Sequence, residues 1–418
     1  MTSAHLTFDT TSDKCADRVL GMRASSVRSL FAAATSSDII SLSGGMPDVS
    51  LLPASAVKKA VRAATEDERA IALQYGDTNG RMETRQVISD IMRDVGVRCK
   101  AKDMILTTGA QEALDLIAKT YINPGDIIIT EGPTYLGALQ AFSAYQPDVH
   151  CIPFDEEGMR MDLLEEELER IGKGNPRLKF LYTIPNFQNP GGVTMTPQRR
   201  QRLIELSQEY NFLVVEDDPY GRLRYDGGHM LPLRALSSDV IYLGTVSKVF
   251  APGLRMGWII APQSVIAKVN LVKQGTDLCG SAFTQVIAQH YFTDTPWQRT
   301  LQKFVKTYRQ RRDAMLSALE RHFPPEATWT HPEGGFFVWV TLPEYVDTSN
   351  LLNEALKRGV TFSPGDGFYP DGVRGKNCMR IAFCYESPEN IEEAIVRLAA
   401  VIEDRLELYR VFIEAGVI

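Results

Sequence analysis

The feature that most constrains this sequence is an alternation. Between Met104 and Ala261, short apolar runs take turns with stretches of helical period. The runs are Met104–Thr107, Asp126–Thr130, Lys179–Ile184, Phe212–Glu216, Val240–Gly244 and Gly257–Ala261. Most are near-continuous Val, Ile, Leu and Phe, the pattern of strands buried on both faces. Between several of them lies helical period. In Gln111–Tyr121, Leu114, Ile117, Ala118 and Tyr121 fall at i, i+3, i+4 and i+7. A chain that alternates strand and helix in this way folds as α/β around a mostly parallel sheet.

Past about residue 295 the character changes. A long charged helical region, Trp297–Arg321, leads to the run Gly334–Leu342, a helix at Ser349–Arg358, a strand at Cys378–Cys384 and more helix. That order reads as α+β. The predicted organisation is an N-terminal segment, 1–52, packing with the small domain; a large domain, 53–295; and a smaller C-terminal domain, 296–418. A chain of 418 residues suits two such units at roughly 100–200 residues per domain.

Composition removes several classes of function. Lys and Arg number 45 against 52 Asp and Glu, a net charge of −7 that offers no electrostatic footprint for nucleic acid. The six cysteines form no C-x-x-C pair and are too sparse for a disulfide framework, so a reducing, cytoplasmic setting is expected. The N-terminus lacks the basic flank and apolar block of a secretory signal. No stretch approaches the ~20 apolar residues of a membrane span. The six histidines are scattered with no H-E-x-x-H, so no metal site is expected, and no G-x-G-x-x-G links a strand to a helix for a nicotinamide cofactor.

Five segments could carry chemistry. Thr245-Val-Ser247-Lys248 follows an apolar run, with Arg255 seven positions beyond the lysine. Most lysines are solvated surface groups. One desolvated beside buried strands loses its proton readily and becomes an amine nucleophile. Thr245, Ser247 and Arg255 add donors suited to a phosphate. Thr107-Thr-Gly109-Ala110-Gln111 is either an ordinary β–α turn or an anion site at a helix N-terminus. Asn186-Phe-Gln-Asn189-Pro-Gly-Gly192 has turn chemistry. Asp217 and Asp218 end a buried strand, where open α/β sheets bind ligands and where a carboxylate also caps helices. Arg380 sits within an apolar strand, so either an internal carboxylate or a ligand's carboxylate must pair with it.

In this order the segments resemble the fold-type I pyridoxal-phosphate aminotransferases, nearest the aminoadipate/kynurenine branch that serves aromatic and branched-chain substrates. Ile40-Ser-Leu-Ser-Gly44-Gly45-Met-Pro-Asp, Leu73-Gln-Tyr75-Gly, Tyr182-Thr-Ile-Pro-Asn-Phe-Gln-Asn189-Pro-Gly-Gly and Glu216-Asp-Asp-Pro-Tyr220 carry the likeness, from about Arg28 to the C-terminal helices. The resemblance implies a large domain that binds pyridoxal 5′-phosphate and a ping-pong transfer from an L-amino acid to a 2-oxo acid. It assigns Lys248 to a Schiff base and to proton shuttling, and Asp217 to the protonated pyridine nitrogen. Tyr220 and Asn189 would bond the ring hydroxyl, and Tyr135 would stack on the ring. Gly109, Ala110, Gln111, Thr245, Ser247 and Arg255 would take the phosphate. Tyr75 would reach it from a second subunit, which implies a homodimer with shared active sites. Arg380, with Gly45 and Asn189 alongside, would bind the substrate α-carboxylate. Arg28, or its rival Arg23, would lie near the substrate side chain.

The chain departs from its relatives at a few places. Phe187-Gln188 stands where Gly-Asn is frequent, Gly191 where Thr is common and Ala110 where a Ser occurs. The first three are expected beside the ring, reshaping the pocket. The shared residues leave a second outcome open, a lyase, cyclase or oxidase on the same cofactor. A DNA-binding regulator with an aminotransferase-like domain is a third, disfavoured because only about forty residues precede Gly44.

Overall fold

The apolar runs become strands of one eight-stranded sheet in the computed structural model, which describes residues 14–20, 22 and 39–414. In chain order these strands are β1 (Met104–Thr107), β2 (Ile127–Gly132), β3 (Asp148–Asp155), β4 (Gly158–Met159), β5 (Leu178–Thr183), β6 (Leu213–Asp217), β7 (Ile241–Thr245) and β8 (Gly257–Ile260). Across the sheet they lie in the order β1-β8-β7-β6-β5-β2-β3-β4. Neighbours from β3 to β7 pair in parallel, whereas β8 runs antiparallel to both β7 and β1. The fold class is α/β, as the alternation predicts.

Burial explains why the runs are so apolar. Ile105, Ile128, Ile129, Phe180, Leu181, Val215 and Leu243 are all fully enclosed. Each such side chain contributes roughly 1.5–3 kcal/mol by leaving water. Helix α1 (Gly109–Tyr121) buries Ala113, Leu114, Leu116, Ile117 and Ala118 against the sheet, while Tyr121 stays at the margin of the core. Helix α2 (Leu136–Ser143) follows β2.

Strand β3, next to the two-residue edge strand β4, was not among the apolar runs. It contains Asp148, His150, Pro153 and Asp155, and only Ile152 is fully buried. Its outer side pairs with β4 only at Phe154 and Asp155, so along 148–153 it is open like an edge, which needs no continuous apolar run and tolerates a proline.

A second, four-stranded sheet follows, of strands β9 (Thr328–Trp329), β10 (Phe337–Thr341), β11 (Ser363–Pro364) and β12 (Cys378–Ala382), in the order β9-β10-β12-β11. Near the N-terminus, Ile40–Ser41 pairs in parallel with Val360–Thr361. The long helices Trp297–His322 and Pro388–Glu414 complete this part. One apolar core runs through both sheets, from Ile128 and Phe180 to Phe337 and Leu398. Among the described residues no helix is long and apolar enough to cross a membrane.

Candidate active site

At the carboxyl ends of the parallel strands lies a cavity of about 480 Å³. Such ends are where open α/β sheets take their ligands. The exits of β2, β5, β6 and β7 supply Tyr135, Asn189, Asp217, Tyr220, Thr245, Ser247 and Lys248 to its wall. Arg380 and Phe337 close it from the second sheet, where Arg380 stands opposite Trp339 in register.

Lys248 borders the cavity, and its amine donates to the Gly45 carbonyl at 2.8 Å. Burial lowers its ammonium to about 8, aided by the positive charges of Arg380 and Arg255 and opposed by Cys384 and Asp217. An amine so placed is partly neutral near pH 7 and can attack a carbonyl. Asp217 borders the same cavity and is 2% exposed. Burial lifts its carboxyl to about 7, although the Tyr182 hydroxyl donates to Oδ2 at 2.9 Å. Oδ1 is buried and without a hydrogen-bond partner among the described residues. A lone acceptor of this kind calls for a donor, preferably a cationic one. Asp218, its neighbour in sequence, is tied instead by Asn186, Tyr242 and the Gly221 amide.

The other end of the cavity is built for an anion. Helix α1 starts at Gly109, whose φ of +76° is left-handed. A Cβ there would come within 2.6 Å of the Arg255 guanidinium, so only glycine admits that close approach. Arg255 itself is held at φ +48°, closing the turn Pro252–Leu254. Ala110 and Gln111 line the cavity with Thr245, Ser247 and Arg255. The Thr245 hydroxyl donates to Ser247 Oγ at 2.9 Å and accepts from the Ser247 amide at 3.1 Å. Gln111 reaches from α1 to the Gly137 carbonyl at 2.7 Å, and its Oε1 takes the Tyr135 hydroxyl at 3.5 Å.

Arg380 answers the question the sequence leaves open. It is 5% exposed and has no carboxylate partner among the described residues. Its guanidinium donates to Asn189 Oδ1 at 2.9 Å, to the Ser43 carbonyl at 2.5 Å and to Ser363 Oγ at 3.2 Å. Nε is buried and has no hydrogen-bond partner among the described residues. Phe337 and Phe368 flank the charge, 4.1 and 5.0 Å from the ring centroids. Burial lowers it to about 10, which still leaves a full cation at neutral pH.

Gly45, Ala110, Gln111, Tyr135, Asn189, Asp217, Tyr220, Thr245, Ser247, Lys248, Arg255 and Arg380 thus meet around one cavity, with Gly109 immediately behind. Tyr75 does not join them in the single chain and is 82% exposed. Arg28 and Arg23 lie outside the described residues.

The expectation that Phe187, Gln188 and Gly191 sit beside the ring is corrected. Phe187 is fully buried behind the loop, against Gly334 and Gly335 and under the Arg224 guanidinium. The Gln188 amide is bound to the Pro133 carbonyl at 2.8 Å, and Gly191 packs on Phe154. The loop turns these side chains into the core and sends only Asn189 to the cavity. The wall residues Met46, Leu136, Gln140, Ile184 and Phe368 were not singled out from the sequence. Met46 and Ile184 lie inside quoted motifs, and only the fold tells which members of a motif point inward.

A nucleophilic lysine, a buried carboxylate with an open oxygen, an anion-binding helix start and a carboxylate-seeking arginine define a pyridoxal-phosphate enzyme acting on amino acids. The chain belongs to the aminotransferase class I and II family, whose model matches residues 37–398. It is 45% identical over 394 residues to aromatic-amino-acid aminotransferase 1 of Thermococcus litoralis, covering 94% of each chain. It superposes on the kynurenine aminotransferase of Pyrococcus horikoshii, solved with PMP, with TM-score 0.91 and 43% identity, covering 95% of this chain and 99% of that one. The alpha-aminoadipate aminotransferase of Thermus thermophilus, complexed with N-(5′-phosphopyridoxyl)-L-leucine, gives TM-score 0.88 at 34% identity, covering 96% and 100%. The protein is therefore an aminotransferase with pyridoxal 5′-phosphate as cofactor, moving an amino group from an amino acid to a 2-oxo acid by the family's ping-pong route. The lyase, cyclase and oxidase alternatives give way to this activity.

Proposed function

We propose that the cavity transfers the amino group of L-amino acids with large apolar or aromatic side chains, held by Arg380. The carrying observation is that buried, carboxylate-free guanidinium with Nε unpartnered. A substrate α-carboxylate supplies the missing anion, and the fork geometry fixes where Cα lies. Among the described lining residues the cations are Lys248, Arg255 and Arg380, and the remaining wall includes Met46, Leu136, Phe337, Phe368 and the amide of Gln140. That surface suits an apolar side chain better than a second carboxylate.

Bound here, pyridoxal 5′-phosphate supplies an aldehyde for the amine and a protonated ring that draws electrons from the substrate Cα. The chain's own residues do the rest. Gly109, Ala110 and Gln111 offer the start of α1 to the phosphate, with Thr245, Ser247 and Arg255 around it. Asp217 Oδ1 holds the proton on the ring nitrogen. Tyr220 and Asn189 bond the ring hydroxyl, and Tyr135 covers the ring face. Lys248 holds the cofactor between turnovers and moves the Cα proton during them. Gly45, whose carbonyl already holds the lysine amine, stands beside the substrate.

The same reading includes a homodimer. Ile71, Leu73, Tyr75, Met82, Leu271 and Leu278 are apolar and exposed. The Asn270 amide joins these segments by bonding Asn79 at 2.8 Å, and Thr108 beside the phosphate turn reaches Asp277 at 3.4 Å. A second copy seated there covers an apolar surface at the phosphate end and brings its Tyr75 to the phosphate. We place the protein in the cytoplasm, a setting that suits cysteines forming no disulfide among the described residues. The pairing of Ile40–Ser41 with Val360–Thr361 supports the reading that this end of the N-terminal segment packs with the small domain, 296–418.

A panel of amino donors against 2-oxoglutarate and pyruvate tests the substrate reading. Phenylalanine, tyrosine and leucine should exceed aspartate and lysine in kcat/KM. Faster turnover of aspartate or lysine would overturn it.

A further inference from the structure

We infer that Tyr182 is a positioning residue that aims Asp217 at the cofactor ring. The inference rests on the reading of Asp217 given above and assigns a role to a side chain outside the cavity wall.

The register of the sheet makes the contact. Strands β5 and β6 pair in parallel with Tyr182 opposite Val215 and Thr183 opposite Glu216. Asp217, two residues past Val215, therefore emerges on the same face as Tyr182. Both side chains are buried, Tyr182 at 0% exposure. The Tyr182 hydroxyl donates to Oδ2 at 2.9 Å, and it is the one side-chain hydrogen bond to Asp217 among the described residues. Phe142 meets the Tyr182 ring edge-on, 5.4 Å between centroids at 80°, and Phe142 itself is fully buried. The phenol is wedged, so its hydroxyl is a fixed donor.

The consequence lies in the oxygen left over. With Oδ2 taken from behind, Oδ1 is the acceptor that remains, and Asp217 lines the cavity. Asp218 shows the opposite arrangement, with donors on both of its carboxylate oxygens. A donor behind Asp217 also favours its charged form against burial and against the nearby carboxyls of Glu131 and Asp218, with Lys248 helping from the front. Tyr135 and Tyr220 are the other titratable groups within electrostatic reach of this pair.

The test uses the holoenzyme and the variants Tyr182→Phe, Asp217→Asn and the double. Four quantities are measured: kcat and KM for the amino donor, the rate of pyridoxal 5′-phosphate loss, and the pH midpoint of the visible absorbance change. A weaker hold on the ring proton withdraws fewer electrons, so the attached Lys248 nitrogen becomes more basic and the midpoint rises. Tyr182→Phe should raise the midpoint and lower kcat about ten- to a hundredfold, the range of one hydrogen bond to a charged group, with KM changed little. In the Asp217→Asn background the same change should add nothing further. A wild-type midpoint and kcat in Tyr182→Phe, with Asp217→Asn impaired, would overturn the positioning role and leave the reading of Asp217 standing. Wild-type behaviour of Asp217→Asn would overturn that reading and the inference with it. If Tyr182→Phe does not fold, ortho-fluorotyrosine at position 182 replaces it. This stronger donor of the same shape should lower the midpoint, and no shift would reject the role.

Discussion

Arg380 and Lys248 carry opposite kinds of risk for a folded chain. Burying a guanidinium without a carboxylate is costly, and the fold offsets that cost with two oxygen acceptors and a hydroxyl, leaving Nε open. The anion that completes the set arrives with the substrate. Replacing Arg380 by Ala should therefore cost about 2–5 kcal/mol in kcat/KM for the amino donor. Cofactor affinity, measured by the dissociation of pyridoxal 5′-phosphate, should change far less. An unchanged KM in that variant would show that the carboxylate binds elsewhere. Lys248 was legible in the sequence because small hydroxyl residues and a strand end surround it. That a desolvated amine loses its proton readily was also legible, but its actual burial and the neighbouring Cys384, Arg380, Arg255 and Asp217 come together only in the fold.

Among the elements, α1 and β8 show how tightly the anion site is machined. Gly257 opens β8 and pairs with Thr107 and Thr245. A Cβ at Gly257 would lie 2.7 Å from the Gly109 carbonyl carbon and 2.8 Å from the Ala110 nitrogen. Both are backbone atoms, so the turn itself must move. Gly257→Ala should weaken retention of pyridoxal 5′-phosphate with little change in KM for the amino donor, as measured by cofactor loss on dialysis. Undiminished retention would mean that the turn does not set the phosphate site. The strands of the parallel core could be read within two residues at each end because burial on both faces leaves an unbroken apolar run. Strand β3 could not, as His150 and the aspartates at its ends meet solvent or ion partners. Phe187 and Gln188 were misplaced for a related reason. A loop's sequence gives its turns but not which side chains face the core, and Phe187, at φ +51°, is folded inward.

For the whole molecule, three buried carboxyls, of which only Asp217 lines the cavity, set the response to pH. Burial raises Glu131, Glu216 and Asp217 each to about 7, from ordinary values of 4.5, 4.5 and 3.8. The native state keeps these protons to a higher pH than the unfolded chain does. Stability from this source is full below about pH 4 and is lost as pH rises through about 7. Lys248 acts oppositely and later. The unfolded chain holds that proton to about 10.5 and the native state only to about 8, so its contribution grows with pH above 8. The apoenzyme should therefore lose thermal stability between about pH 5 and 7.5, and Asp217→Asn should lose less across that window. A flat profile, or an equal loss in the variant, would contradict the assignment of a proton to buried Asp217. The most direct measurement of the central claim is covalent trapping. Wild-type protein loaded with pyridoxal 5′-phosphate is reduced with borohydride, digested and mapped by mass spectrometry. The phosphopyridoxyl group should be found on Lys248, and Lys248→Ala should keep its fold while losing both label and turnover. A label on another lysine, or wild-type transamination by Lys248→Ala, would contradict the account.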